Sequence, residues 1–134
     1  MFSILDIGAS GLKAQRLRLD TIAQNIAGMH TTADKNGKNN PYQRRYVVFQ
    51  PGQANDNNKP GVHVKEIALD TAEFPKVYEP GNKLCDAEGK VKYPNVDMSI
   101  EMTNAIEASR AYEANVTMME TTKSMFNSAL RLLA

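Results

Sequence analysis

From Asn95 to Ala134 the chain contains neither proline nor glycine, and this uninterrupted stretch constrains the fold more than any other feature of the sequence. Pro94 stops any helix arriving from upstream. Asp97 stands where an N-cap carboxylate accepts the orphan amide hydrogens of a first turn and meets the positive end of the helix dipole. A helix from there to the end of the chain has about 37 residues, and at roughly 1.5 Å per residue it is a rod of about 55 Å, longer than a small domain is wide. Such a rod needs partners along its length. Steps of four and three from Met98 reach Met102, Ala105, Ser109, Tyr112, Val116, Met119, Lys123, Phe126, Leu130 and Leu133, with only Ser109 and Lys123 interrupting the apolar run. This is the spacing of a coiled-coil seam.

The other end of the chain has the same character. No proline occurs between Ser3 and Met29, and Leu5, Leu12, Leu19 and Ile26 recur every seventh residue with Ile22 and Met29 at alternate seam positions. The spacing predicts an amphipathic helix up to about Met29. Gly8 and Gly11 each cost about 1 kcal/mol of helix propensity relative to Ala. They mark either a fraying end or a place where a second helix comes close.

Between the helices the pattern changes. Thr31 to Pro41 is rich in Asn, Gly, Lys and Asp, with Asn36-Gly37 as a turn signal. Tyr46-Val47-Val48-Phe49 has the β-branched and aromatic content of a strand, and Val62, Val64 and Ile67 give a second. The polar stretch between them, including Asn55-Asp56-Asn57-Asn58, reads as a loop tip. Further on, Pro75, Pro80 and Pro94 exclude long helix, while Lys76-Val77-Tyr78 and Lys90-Val91-Lys92-Tyr93 flank turn chemistry at Pro80-Gly81-Asn82 and Glu88-Gly89. The expected fold class is α+β: long N- and C-terminal α-helices packed as a coiled-coil-like pair, with a small β-rich middle. In domain terms, residues 1–33 and 95–134 form the two halves of a discontinuous helical core and residues 34–94 form the β-rich middle.

A chain of 134 residues that is 42% hydrophobic supports one modest core. Its 16 basic and 15 acidic residues leave a net charge of +1, which gives no electrostatic basis for binding nucleic acid or an anionic membrane. The single cysteine, Cys85, forms no internal disulfide. The first residues lack the basic start, long apolar run and cleavage site of a secretory signal, and no apolar run is long enough to span a bilayer, so no direct membrane insertion is expected. Seven methionines, concentrated toward the C-terminal end, suit helix faces that meet more than one kind of partner.

A closed pair of terminal helices leaves apolar residues over, notably Leu17, Ile106, Met118 and Met125. These stripes pack either on the β-rich middle of the same subunit or on other helical subunits, and the length of the last helix favours the second. Asn25 and Asn115, at the inner ends of apolar patterns, either hydrogen-bond across helices and fix their register or are solvated surface amides.

Catalysis finds little support. His30, His63 and Cys85 show no metal-ligand spacing and no nucleophile-base arrangement, so neither an enzyme nor a cofactor is expected. Lys35, Lys38, Arg44 and Arg45, interleaved with Tyr42 and Tyr46, form a basic and aromatic cluster of the kind that binds a phosphate backbone. With a near-neutral total and no base-reading motif, a solvated strand edge is the expected reading and nucleic acid is not an expected partner.

The segment Leu19-Asp20-Thr21-Ile22-Ala23-Gln24-Asn25-Ile26-Ala27, followed by Thr31 and Thr32, resembles the N-terminal signature of bacterial flagellar axial proteins, the rod and hook family. Gly28 stands where such proteins usually carry a second Asn. Tyr46-Val47-Val48-Phe49-Gln50, Val77-Tyr78-Glu79-Pro80-Gly81-Asn82, Asp86-Ala87-Glu88-Gly89, Pro94-Asn95-Val96-Asp97, Glu101-Met102 and Ala108-Ser109-Arg110-Ala111-Tyr112-Glu113-Ala114-Asn115 extend the likeness over nearly the whole chain and narrow it to a proximal rod component. The resemblance implies a structural subunit of the basal-body rod, exported by the flagellar type III apparatus without signal cleavage and located in the periplasmic rod. The implied partners are other rod proteins, copies of itself and the membrane-ring and export-gate end of the basal body. Another axial subunit, or a non-flagellar secreted helical assembly protein, is the alternative. The assembly interface is expected on Leu12, Leu19, Ile22, Asn25 and Ile26 of the first helix and on Met102, Tyr112, Asn115, Val116, Met119, Phe126 and Leu130 of the last.

Overall fold

A computed structural model describes residues 2–52 and 60–133. Two helices and four short strands follow one another as α1 (Phe2–Gly28), β1 (Arg45–Pro51), β2 (Val62–Leu69), β3 (Lys76–Tyr78), β4 (Lys90–Lys92) and α2 (Met98–Leu133). The fold is α+β, with the elements where the turn and breaker residues place them. The Asn55–Asn58 loop tip lies outside the described residues.

Asp97 caps α2: its Oδ1 accepts the amides of Ser99 at 2.8 Å and Ile100 at 3.3 Å. The helix then runs antiparallel to α1, with Met119 beside Gly8, Asn115 beside Gly11, Glu107 paired to Arg18 at 3.2 Å and Glu101 bonded to Asn25. The glycines of α1 serve close approach. A Cβ on Gly8 would lie 2.8 Å from Met119 Cγ, and one on Gly11 would lie 2.9 Å from Asn115 Nδ2.

This close approach corrects the expected seam of α2. Ala105, Tyr112 and Met119 do belong to the packed side. Between them, however, come Glu101, Ala108, Asn115 and Thr122, in the places that the four-three spacing assigned to Met102, Ser109, Val116 and Lys123. Glu101 and Ala108 are fully buried, whereas Met102 is 47% exposed. The α1 glycines make room for Met119 and Asn115, Ala105 and Ala108 add little bulk between the helices, and a shift of one position turns the face by about 100°. The wide residues Met98, Met102 and Ile106 are left pointing outward.

β1 and β2 form an antiparallel hairpin from Arg45↔Leu69 to Pro51↔Val62, with a bulge at Val48/Phe49. The hairpin lies on α1, so α1 is enclosed between it and α2. Accordingly α1 carries the buried Ala14, Thr21, Ile22 and Asn25, while Leu5, Leu12, Leu19 and Ile26 are half-buried. β3 and β4 form a second small hairpin, Lys76↔Lys92 to Tyr78↔Lys90, which approaches neither helix among the described residues and buries Val91 fully. Its connecting loop is held by Glu79, which accepts from Asn82 Nδ2 at 2.9 Å and from Tyr93 Oη at 2.9 Å. Gly89 completes the return at φ +73°.

Candidate assembly interface

α1 and α2 differ in length, and the antiparallel pairing leaves the difference at one end. Every residue from Lys123 to Leu133 is exposed, and among the described residues nothing covers this part of α2. Its apolar side chains include Met125 at 68%, Leu130 at 50% and Leu132 at 89% exposure, with Phe126 beside them. The overhang is about 16 Å of helix at roughly 1.5 Å per residue. A second exposed stripe, Met98, Met102 and Ile106, runs along the outer side of the first turns of α2, and Ile4 and Ile7 are exposed on α1. Contiguous apolar surface of this kind marks a site of association.

The twelve expected interface residues fall into three groups. Met102, Phe126 and Leu130 are exposed. Leu12, Leu19, Ile26, Tyr112 and Val116 are half-buried. Ile22, Asn25, Asn115 and Met119 are engaged inside the subunit: Ile22 and Asn25 are buried, and Asn115 and Met119 lie over the α1 glycines.

Asn25 opens onto a cluster that the sequence did not announce. α1 ends at Gly28, and the following loop is pinned by Tyr42 N to Thr31 O at 2.9 Å and Asn40 N to Thr32 O at 3.1 Å. The chain therefore returns directly to the end of α1. The Tyr42 ring lies on Gly28, where a Cβ would be 2.6 Å from its Cγ. The turn thus fits a residue without a side chain at position 28. Arg44 and Arg45 follow, arriving beside Asn25 and Glu101.

Glu101 is 0% exposed, with Arg44 Nε at 2.7 Å from its Oε1 and Asn25 Nδ2 at 3.0 Å from its Oε2. Arg44 also pairs with Asp70 at 3.3 Å, and its backbone amide donates to Asn95 Oδ1 at 2.9 Å. Burial works against the charge on Arg44, but Glu101 and Asp70 together outweigh it and hold the guanidinium pKa above its ordinary value. Burial likewise raises the Tyr42 phenol, opposed by nearby Arg45. The expectation of a solvated basic strand edge is therefore corrected at Arg44, which is an internal ion-pair partner. Arg45 remains exposed, its guanidinium 5.9 Å from the Tyr42 ring centroid. Among the described residues, no group of three or more His, Cys, Asp or Glu side chains is placed to hold a metal. No described helix is long and apolar enough to cross a membrane.

The two helices that build this surface are the parts of the chain matched by family models. The family described as flagella basal body rod protein matches residues 5–32, and the one described as flagellar basal body rod FlgEFG protein C-terminal matches residues 87–132. Across the full length, the chain is 42% identical over 132 residues to the flagellar basal-body rod protein FlgC of Yersinia enterocolitica, covering 98% of this chain and 97% of that one. The chain belongs to the FlgC family of flagellar basal-body rod proteins. The FlgC of Salmonella typhimurium is 43% identical over 136 residues and that of Bacillus subtilis 40% over 147, each match covering 98% of this chain and 97% of the relative. The likeness to FlgC proteins thus includes the β-rich middle, which the family models reach only from residue 87 on, at β4.

Asn25 was visible in the sequence as a register candidate. Glu101, Arg44, Asp70 and Asn95 were not identified as partners, because each alone reads as a solvated polar residue. The one available signal is that Glu101 shares a helical face with Ala105, Ala108 and Tyr112, a face with no other charged residue over those turns.

Proposed function

We propose that this chain is a non-enzymatic structural subunit of the flagellar rod that joins other rod subunits and copies of itself through the outward faces of its helices. The observation that carries this reading is the overhang of α2, where Met125, Phe126, Leu130, Leu132 and Leu133 have no cover within the described subunit. In this reading residues 1–33 and 95–134 form the packed helical layer of a tube and residues 34–94 its outer part. Burial of the overhang against neighbours is worth roughly 25 cal/mol per Å² of apolar surface. A head-to-tail contact that does not close on itself builds an open helical filament, the geometry a rod needs. Interdigitated helices spread over many subunits resist twisting, and in this way the rod carries torque across the periplasm. Export through the flagellar type III apparatus without signal cleavage belongs to the same proposal.

The test uses charge on the overhang. Phe126→Asp and Leu130→Asp lie on exposed positions, so the purified chain should keep its thermal unfolding midpoint. Cells carrying either variant should make the protein yet lack it in purified basal bodies, and should not swim. Met119 is a poorer probe, because it packs on Gly8 and a charge there would also disturb the subunit. Normal basal-body incorporation of a Phe126→Asp/Leu130→Asp double variant would sink the reading.

A further inference from the structure

Asn25 contacts β1 as a neighbouring strand would. Its Nδ2 donates to the Arg45 carbonyl at 2.7 Å, and its Oδ1 accepts the Arg45 amide at 3.0 Å. This two-point exchange is the one that opposed residues make in an antiparallel ladder. Asp70 N donates to Arg44 O at 2.8 Å, so Arg44 is the residue turned toward β2. Arg45, one position on, turns its own amide and carbonyl to the outer edge of the hairpin. The Asn25 carboxamide therefore stands where a third strand would begin. Its second amide hydrogen goes to Glu101 Oε2, and its oxygen also accepts from Tyr42 Oη at 3.1 Å. A carboxamide has two donor hydrogens and two acceptor positions, and all four are used here, at a residue 1% exposed.

The hairpin has a second anchor near its other end. Val62 N, on β2, donates to Ser10 Oγ at 3.1 Å, and Ser10 Oγ donates in turn to Ile7 O at 2.7 Å. The two anchors are about 22 Å apart along α1 at roughly 1.5 Å per residue. One holds β1 at its base and the other holds β2 near its tip, so the hairpin crosses α1 with opposite edges caught. A groove remains on each side, one lined by Thr21, Ile22 and Val47 and the other by Ala14, Leu17 and Val64. Two points fix a direction, and neither groove alone would.

We infer that Asn25, bridging Arg45 and Glu101, is a positioning residue that locks the β1–β2 hairpin at a set angle on the helix pair, with Ser10 as the second point of attachment. In the rod reading proposed above, on which only this clause rests, load applied to the hairpin reaches the helices through the joint. The four-bond saturation makes the role specific to a carboxamide of this length. Aspartate keeps the two acceptor contacts, loses both donors and sets a second carboxylate against Glu101. Glutamine at position 101 would answer that change, donating to the new carboxylate from one atom while its oxygen still accepts from Arg44.

Site-resolved hydrogen exchange on the purified full chain tests the joint. In Asn25→Asp, amides of β1 and β2 should lose about tenfold in protection while those of the helix pair around Ala108–Asn115 stay within about threefold of wild type. The double variant N25D/E101Q should recover most of the hairpin protection. Ser10→Ala should loosen only the Val62 end, leaving Tyr46 and Val48 protected. Equal loss across hairpin and helices in Asn25→Asp, or no recovery in the double variant, overturns the joint. So does a Ser10→Ala chain whose Val62 end is unchanged. Absence of the wild-type chain from basal bodies would remove the load-bearing clause and the rod reading together, and the exchange pattern would still decide the joint.

Discussion

Glu101 illustrates how much one buried side chain can hold. Its two oxygens join α2 to Arg44 and to Asn25, and nothing of it reaches solvent. Removing one member of a buried ion pair leaves the other charge short of a partner, at a cost of about 3–5 kcal/mol. Arg44 keeps Asp70 and some exposure, so Glu101→Ala should lose about 3 kcal/mol in urea unfolding, the low end of that range. A loss below about 1 kcal/mol, the scale of a solvent-exposed pair, would contradict the burial. Asn25 was legible as one of two possibilities, a register bond or a surface amide, and burial at 1% decides for the bond. Glu101 was not legible in this way. A carboxylate within a polar helix reads as solvated until the fold brings Arg44 and Asn25 to it from distant segments.

At the level of elements, the boundaries were readable because their chemistry is local. Asp97 caps α2, and Gly37 and Gly89 turn at φ +71° and +73°. The inward face of α2 was not readable from its own spacing, since wide apolar side chains mark a seam only when the partner leaves room for them. Gly8 and Gly11 leave that room opposite Met119 and Asn115, so part of the information sat on the other helix. The β3–β4 hairpin, which approaches neither helix among the described residues, rests on the fully buried Val91 and on the tie between Glu79 and Tyr93. Hydrogen bonds from Asn82 and Tyr93 hold the Glu79 carboxyl below its ordinary value of 4.5, and the bond to Glu79 raises the Tyr93 phenol above its ordinary 10.0. The Glu79 contribution is therefore complete above the ordinary carboxylate value and lost as pH falls through the depressed one. That of Tyr93 is complete below its ordinary value and lost as pH rises through the raised one. The tie should stand across neutral pH and open at both extremes. Tyr93→Phe should move the Glu79 titration, followed by carboxyl carbon NMR, upward, and only partway because Asn82 remains. An unmoved titration would show that the bond does not form in solution.

For the whole molecule, the two helices and the hairpin make one body around α1, and the last part of α2 lies outside it. A chain ending at Thr122 should accordingly keep its unfolding free energy within the roughly 10–15% uncertainty of linear extrapolation. A larger drop would mean that the overhang packs on the subunit itself. The joint also governs when the subunit becomes complete. It unites residues 25, 44 and 101, far apart along the chain, and a chain made from its N-terminus presents the first two well before the third. Until α2 has begun to emerge, α1 is left with one side bare and Arg44 without its closest partner. Closure thus waits for the first turns of α2, and a product cut short before Glu101 stays open for degradation to find.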